Sequence, residues 1–175
     1  MKRIPVGYII IVAAAVIVFS YLIFQAYPNS VGPVGSTHIH ADMKVYINGV
    51  AIDFSQPKYQ LRTKEVHFED GIGDVVHIHA TGVTLNYVLN TLDMRLSDRC
   101  ITVSKKGYCE NGVSKLALMV QSADGPWITL EDPKNYLVKD EDRILISQGN
   151  PADIEQQKES VTKLSAEQSG EEELD

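Results

Sequence analysis

His38-Ile39-His40-Ala41-Asp42-Met43-Lys44-Val45-Tyr46-Ile47-Asn48-Gly49 alternates polar and apolar side chains over ten residues and then reaches a turn. Successive side chains of an extended strand point to opposite faces. Ile39, Ala41, Met43, Val45 and Ile47 therefore make one wholly apolar face. His38, His40, Asp42, Lys44 and Tyr46 make the other, provided the strand reaches back to Thr37. Asn48-Gly49 supplies the two positive-φ residues of a type I′ turn, so Met43–Ile47 and Val50–Phe54 are expected to form a hairpin. Both histidines of this strand point away from the main core.

The tetrapeptide His-Ile-His-Ala returns at His77–Ala80. Here Val76, Ile78 and Ala80 share the apolar face, and Val75, His77 and His79 oppose it. Upstream, Val66 and Phe68 alternate with Glu65, His67 and Glu69, and Asp70-Gly71-Ile72-Gly73-Asp74 is a turn that can make a hairpin of the two segments. All five histidines of the chain lie between His38 and His79. One His-x-His is ordinarily two polar residues on the wet side of a strand. Two identical pairs, with a fifth histidine nearby and none elsewhere, point to metal. His38, His40, His77 and His79 are the expected ligands, with His67 as a candidate fifth. Asp42, on the histidine face, can ligate or orient a ligand, and Tyr46 further along can hydrogen-bond behind it.

Imidazole suits zinc, copper, nickel and iron, whereas the absence of a free thiolate argues against a soft site. Four imidazoles fit a tetragonal Cu(II) or a closed tetrahedral Zn(II), and in an equal competition copper binds more tightly. Copper is therefore the first expectation and zinc the alternative. A blue-copper centre needs a free cysteine followed closely by histidine, and Cys109 has no histidine after it. Met43 shares parity with the core and Met94 ends an amphipathic stretch, so both are read as packing. No His-Glu-x-x-His occurs, and Glu65, Glu69 and Asp70 are candidate bases only through their closeness to His67.

The expected fold class is α+β, with a mostly antiparallel sheet and one central helix. A β-grasp-like arrangement is the first expectation and a β-sandwich with a helical crossover the alternative. Thr84 can cap a helix carrying Leu85, Val88, Leu89 and Leu92 at i, i+3, i+4 and i+7. A Cys100–Cys109 hairpin, a Leu116–Val120 strand, Trp127–Leu130 and a closing Arg143–Ser147 strand follow. The cysteines lie nine positions apart, and in an exported domain they read as a structural disulfide.

The chain has 175 residues, 44% hydrophobic and 22% charged, an ordinary globular balance. Part of the apolar content is not core. From Val6 to Ala26 it is almost unbroken Ile, Val, Ala, Leu, Phe and Tyr. Twenty-one residues at about 1.5 Å each give roughly 31 Å, the thickness of a bilayer's hydrocarbon layer. Lys2 and Arg3 precede this run and the next basic residue is Lys44. The positive-inside rule then places the N-terminus in the cytoplasm and the rest outside. A cleaved signal peptide is the competing reading, but cleavable apolar regions are usually about 7–15 residues. The expected organisation is a cytoplasmic segment 1–5, a transmembrane signal anchor 6–27, a linker 28–37, an extracytoplasmic domain 38–150 and an acidic disordered tail 151–175.

That tail carries −6 and Lys2 with Arg3 carry +2, so of a net −7 the domain keeps −3. A mildly acidic domain has no footprint for nucleic acid. The expected partners are the lipid bilayer and a membrane protein complex. The expected role is metal trafficking, buffering or delivery. A zinc- or copper-dependent enzyme and an accessory subunit of a membrane complex are the alternatives.

Five stretches carry a family likeness: His38-Ile39-His40-Ala41, Tyr46-Ile47-Asn48-Gly49, Val66-His67-Phe68-Glu69-Asp70-Gly71, Val75–Gly82, and Asp142-Arg143-Ile144-Leu145-Ile146. In these the chain resembles uncharacterised single-span exported proteins with paired His-x-His motifs from ammonia-oxidising archaea. The likeness covers residues 38–149 but neither the apolar run nor the tail, and it brings no established activity. What it implies is context, since such cells depend on copper proteins outside the membrane.

Overall fold

The computed structural model describes residues 5–26 and 31–167, without the side chains of Val6, Ile9 and residues 23–26. The chain divides into two units, Met1–Val31 and Gly32–Asp175.

In the first unit Val6–Ala26 forms one helix, α1, of 21 residues. Among the described residues no helix is long and apolar enough to cross a membrane. The α1 side chains that are described are exposed on every side, among them Ile10, Ile11, Val16, Ile17, Phe19 and Leu22. Tyr27 and residues 28–30, assigned above to anchor and linker, lie outside the described residues.

The second unit begins with β1 (Ile39–Ile47), β2 (Val50–Ala51), β3 (Val66–His67) and β4 (Val75–Ile78). Helix α2 (Leu85–Thr91) follows, then β5 (Met94–Leu96), β6 (Cys100–Val103), β7 (Lys106–Cys109) and β8 (Lys115–Gln121). β9 (Ile128–Thr129), β10 (Arg143–Gly149), a short 3-10 turn (Pro151–Asp153) and α3 (Ile154–Ser160) complete it. The main sheet runs β3-β4-β1-β10-β8-β9, with β2 paired to β1. Among the described strands only β1 and β10 pair in parallel, so the α+β class with a mostly antiparallel sheet holds.

Local chemistry accounts for most of these elements. Asn48 and Gly49 adopt φ of 52° and 80°, the left-handed pair a type I′ turn demands. The Thr84 hydroxyl accepts the Tyr87 N–H at 3.2 Å and caps α2 as expected. Leu85, Val88, Leu89 and Leu92 are buried. They join Met43, Val45, Val76, Ile78, Ile144, Ile146 and the stacked Phe54–Phe68 pair in one core. Cys100 and Cys109 face each other across β6 and β7 and are bonded. Closing a loop of that size stabilises by about 2.7 kcal/mol in the chain-entropy model.

Two expectations need correction. Residues 32–36 are not a free linker: Gly32 N–H donates to Thr81 C=O at 2.8 Å and Gly35 N–H to His79 C=O at 2.6 Å. A Cβ on Gly32 would run into the Thr81 hydroxyl, so any larger residue here would displace that side chain. The tail is also structured through residue 167, and 168–175 lie outside the described residues. Buried Asp42 holds it. Its carboxylate accepts the backbone N–H of Leu164 at 3.0 Å and of Ser165 at 3.1 Å, together with the Thr162 and Ser165 hydroxyls. Tyr46 Oη meets Ser160 Oγ at 2.7 Å, and Arg143 donates to the Thr162 carbonyl at 2.9 Å and to that of Val161. The C-terminal segment thus covers part of the sheet face opposite the α2 core. Most of this attachment is to backbone groups, which leave no pattern in the sequence.

Asp42→Asn would turn an amide NH₂ toward two of these four donors. The expected result in urea denaturation is a loss of about 2–3 kcal/mol, with earlier proteolysis at residues 161–167. Unchanged stability and cleavage would show that Asp42 does not hold the segment.

Candidate metal centre

The site is built by strand register. In β1–β4 pairing His40 stands opposite His77, and in β3–β4 pairing His67 stands opposite the same His77. His67, His77 and His40 therefore form one row across three adjacent strands. His38 and His79 flank Ile39 and Ile78, the last pair of the β1–β4 ladder, and stand one step beyond His40 and His77 on the same face. A one-residue slip would send the rings of one strand to the opposite face.

The five imidazoles close into a ring of neighbours. Centroid separations are 4.9 Å for His38–His40, 4.6 Å for His40–His77, 5.9 Å for His77–His67, 5.0 Å for His67–His79 and 4.5 Å for His79–His38. His38, His40 and His77 each offer a ring nitrogen, and these three atoms lie within 4.8 Å of one another. Two nitrogens bound to one zinc at about 2.0–2.1 Å sit roughly 3–4 Å apart, so modest side-chain rotations close the trio on a cation. The donors fit a borderline transition metal. His79, one of the four ligands expected from sequence, lies outside that trio. Its ring is 6.4 Å from His77 and nearer to His38 and His67. His67 sits beyond His77, beside His79.

Burial is graded across the site. His40, His67 and His77 are buried, His79 is half-buried and His38 is exposed. Burial is also the largest influence on His77, whose pKa is pushed down to about 4. The neighbouring His40, His67 and His79 lower it further, while Glu69 opposes them. Burial, followed by His38 and His67, lowers His79 as well. Both rings are thereby held in the neutral form that a metal needs.

Supports converge from several loops. The Asp140 carboxylate accepts the His40 backbone N–H at 2.8 Å, and Glu141 N–H donates to the His40 carbonyl at 2.8 Å. That turn is held in place by buried Asp142, which accepts from Ser122 Oγ at 2.6 Å, Tyr136 Oη at 2.7 Å and Lys139 N–H at 2.9 Å. Glu69 lies against two rings, with Oε2 at 3.3 Å from His67 Nε2 and Oε1 at 3.4 Å from His77 Nδ1. His67 Nδ1 is 2.9 Å from the Thr63 carbonyl. Strand parity placed Glu69 on the histidine face; nothing in the sequence marked Thr63 or Asp140. The expected supporting roles of Asp42 and Tyr46 are not seen, because the hydrogen bonds of both go to the C-terminal segment.

Compared with family models, curated proteins and solved structures, the chain finds no match. Its functional reading rests on this geometry.

Stability of the metal-free chain should depend on pH through His77. Its folded pKa of about 4 lies below the ordinary imidazole value of 6.5, so the unfolded chain takes up the proton first. Stability present above about 6.5 is lost progressively as pH falls toward 4. Thermal melts in chelator should show this slope, and His77→Gln should flatten it. An equal slope in the variant would assign the loss to other groups.

Proposed function

We propose that this chain is a membrane-anchored, extracytoplasmic protein that binds a transition metal on a histidine-lined sheet face and serves metal trafficking or delivery. One observation carries the reading: three ring nitrogens, from β1, β4 and the residue that leads into β1, two of them on buried residues, converge within 4.8 Å. Copper is the first assignment and zinc the alternative. Imidazoles bind both, the affinity order favours copper, and the likeness to exported archaeal proteins points the same way.

Graded burial supports transfer. An ion reaches His38 from solvent and is passed to the buried His40 and His77, all within one cluster. A metal-dependent enzyme is the second reading, favoured by three imidazoles with an exposed side at His38. Both Glu69 oxygens, however, face imidazoles. That leaves this carboxylate poorly placed to take a proton from metal-bound water, so binding is preferred over catalysis. A place as accessory subunit of a membrane complex is compatible with either reading.

Anchoring is supported by α1, which is 21 residues long, apolar around its circumference and preceded by Lys2 and Arg3. We also read the domain as β-grasp-like. The order β4-β1-β10-β8, with β1 and β10 parallel at the centre and α2 following β4, supports that reading over a sandwich.

His40→Ala combined with His77→Ala should weaken Cu(II) or Zn(II) binding more than about 100-fold, since loss of supporting partners alone commonly costs 10–100-fold. Chelator competition reads this, and unchanged affinity in a folded variant would end the metal assignment. For the anchor, the full chain expressed in cells should stay with membranes through alkaline carbonate extraction. Release into the supernatant would exclude a spanning α1.

A further inference from the structure

The tautomer of His67 leaves a mismatch beside the three-imidazole set. A backbone carbonyl can only accept, so the His67 Nδ1 contact with Thr63 C=O at 2.9 Å requires the hydrogen on Nδ1. In the neutral ring Nε2 then carries a bare lone pair. That lone pair faces Glu69 Oε2 at 3.3 Å, also an acceptor. Two acceptors held together need a positive charge between or beside them.

The number of donors poses the same question. One zinc ion commonly takes four ligands, yet five imidazoles and a carboxylate meet on this face. His38, His40 and His77 make one set. Of the donors left over, His67 neighbours both others, with Nε2 3.3 Å from Glu69 Oε2 and its ring stacked on that of His79 at 5.0 Å.

We propose that His67 Nε2 and Glu69 Oε2, completed by His79, form a second cation position beside the first, so that each chain holds two transition-metal ions. This rests on the metal-binding reading above. The first position is all imidazole, whereas the second includes a carboxylate and therefore carries formal negative charge. Oε1 of the same Glu69 faces His77 Nδ1 at 3.4 Å. With Nδ1–H donating to that oxygen, His77 keeps Nε2 for the first ion. One carboxylate thus links both positions, and the second ion lies within a few ångströms of the first.

The full chain in detergent, loaded with Cu(II) and washed with a weak competing chelator, tests the proposal by elemental analysis. The wild type should retain two ions per chain, and Glu69→Gln and His67→Gln should each retain one. Electron paramagnetic resonance of the wild type gives a second readout that needs no variant. One equivalent should show an isolated copper spectrum, and the second should broaden it or reduce its intensity through coupling between neighbouring spins. A wild type that stops at one ion, with an isolated spectrum, overturns the second position and leaves the first intact; a positive charge supplied by a proton on His67 would give this result. Two ions retained by both variants, or both ions lost from folded variants, would also overturn it. A wild type that binds no copper would instead defeat the metal-binding reading itself.

Discussion

Pairing of β1 with β4, in the register that sets His40 opposite His77, is the constraint on which the rest of the domain depends. It puts Ala41, Met43, Val76 and Ile78 into one buried face and sends every histidine to the other. Slipping by one residue would expose the core residues of one strand while burying its imidazoles among aliphatic side chains. The cost would be several buried aliphatic groups, each worth about 1.5–3 kcal/mol. Core hydrophobicity therefore fixes the register, and the register fixes where the rings converge. The histidine face inherits its precision from the opposite side of the sheet.

That face is closed along part of its length by the C-terminal segment. Asp42 lies one step below His40 on the same side of β1, yet its carboxylate is turned to the backbone of 164–165. Two neighbouring polar residues of one strand thus serve different ends. His40 lies in the imidazole cluster, and Asp42 holds down a chain segment. Burial favours the neutral imidazole over imidazolium at His77 and, more weakly, at His79, and the neutral ring is the form a cation requires.

Glu69 brings negative charge to a cluster that would otherwise contain only neutral donors. Placed against His67 and His77, it can orient rings as carboxylates beside metal-bound histidines generally do. Asp140 accepts the His40 backbone N–H and holds the end of β1 where β10 has not yet begun to pair, while Asp142 fixes the turn that carries Asp140. Exposure is graded across the cluster, from His38 at the solvent to the buried His40 and His77.

Much of the local structure was legible from residues alone. Asn48-Gly49 marks a turn because few other residues tolerate two consecutive positive φ angles. Thr84 marks a helix start because a short hydroxyl can reach a free N–H. Alternation in Ile39–Ile47 and Val75–Ile78 marks strands and already assigns each histidine to a face. Other features belong to the tertiary structure. Which rings converge depends on pairing between segments distant in the chain, and that pairing sets His38, His40 and His77 together while leaving His79 outside the set, beside His38 and His67. Asp42 looked like a site residue from its parity, and only packing revealed that its partners come from the C-terminal segment. Periodicity records which way a side chain points. What it meets there is decided by strand register and by backbone donors, whose positions no amino-acid type encodes.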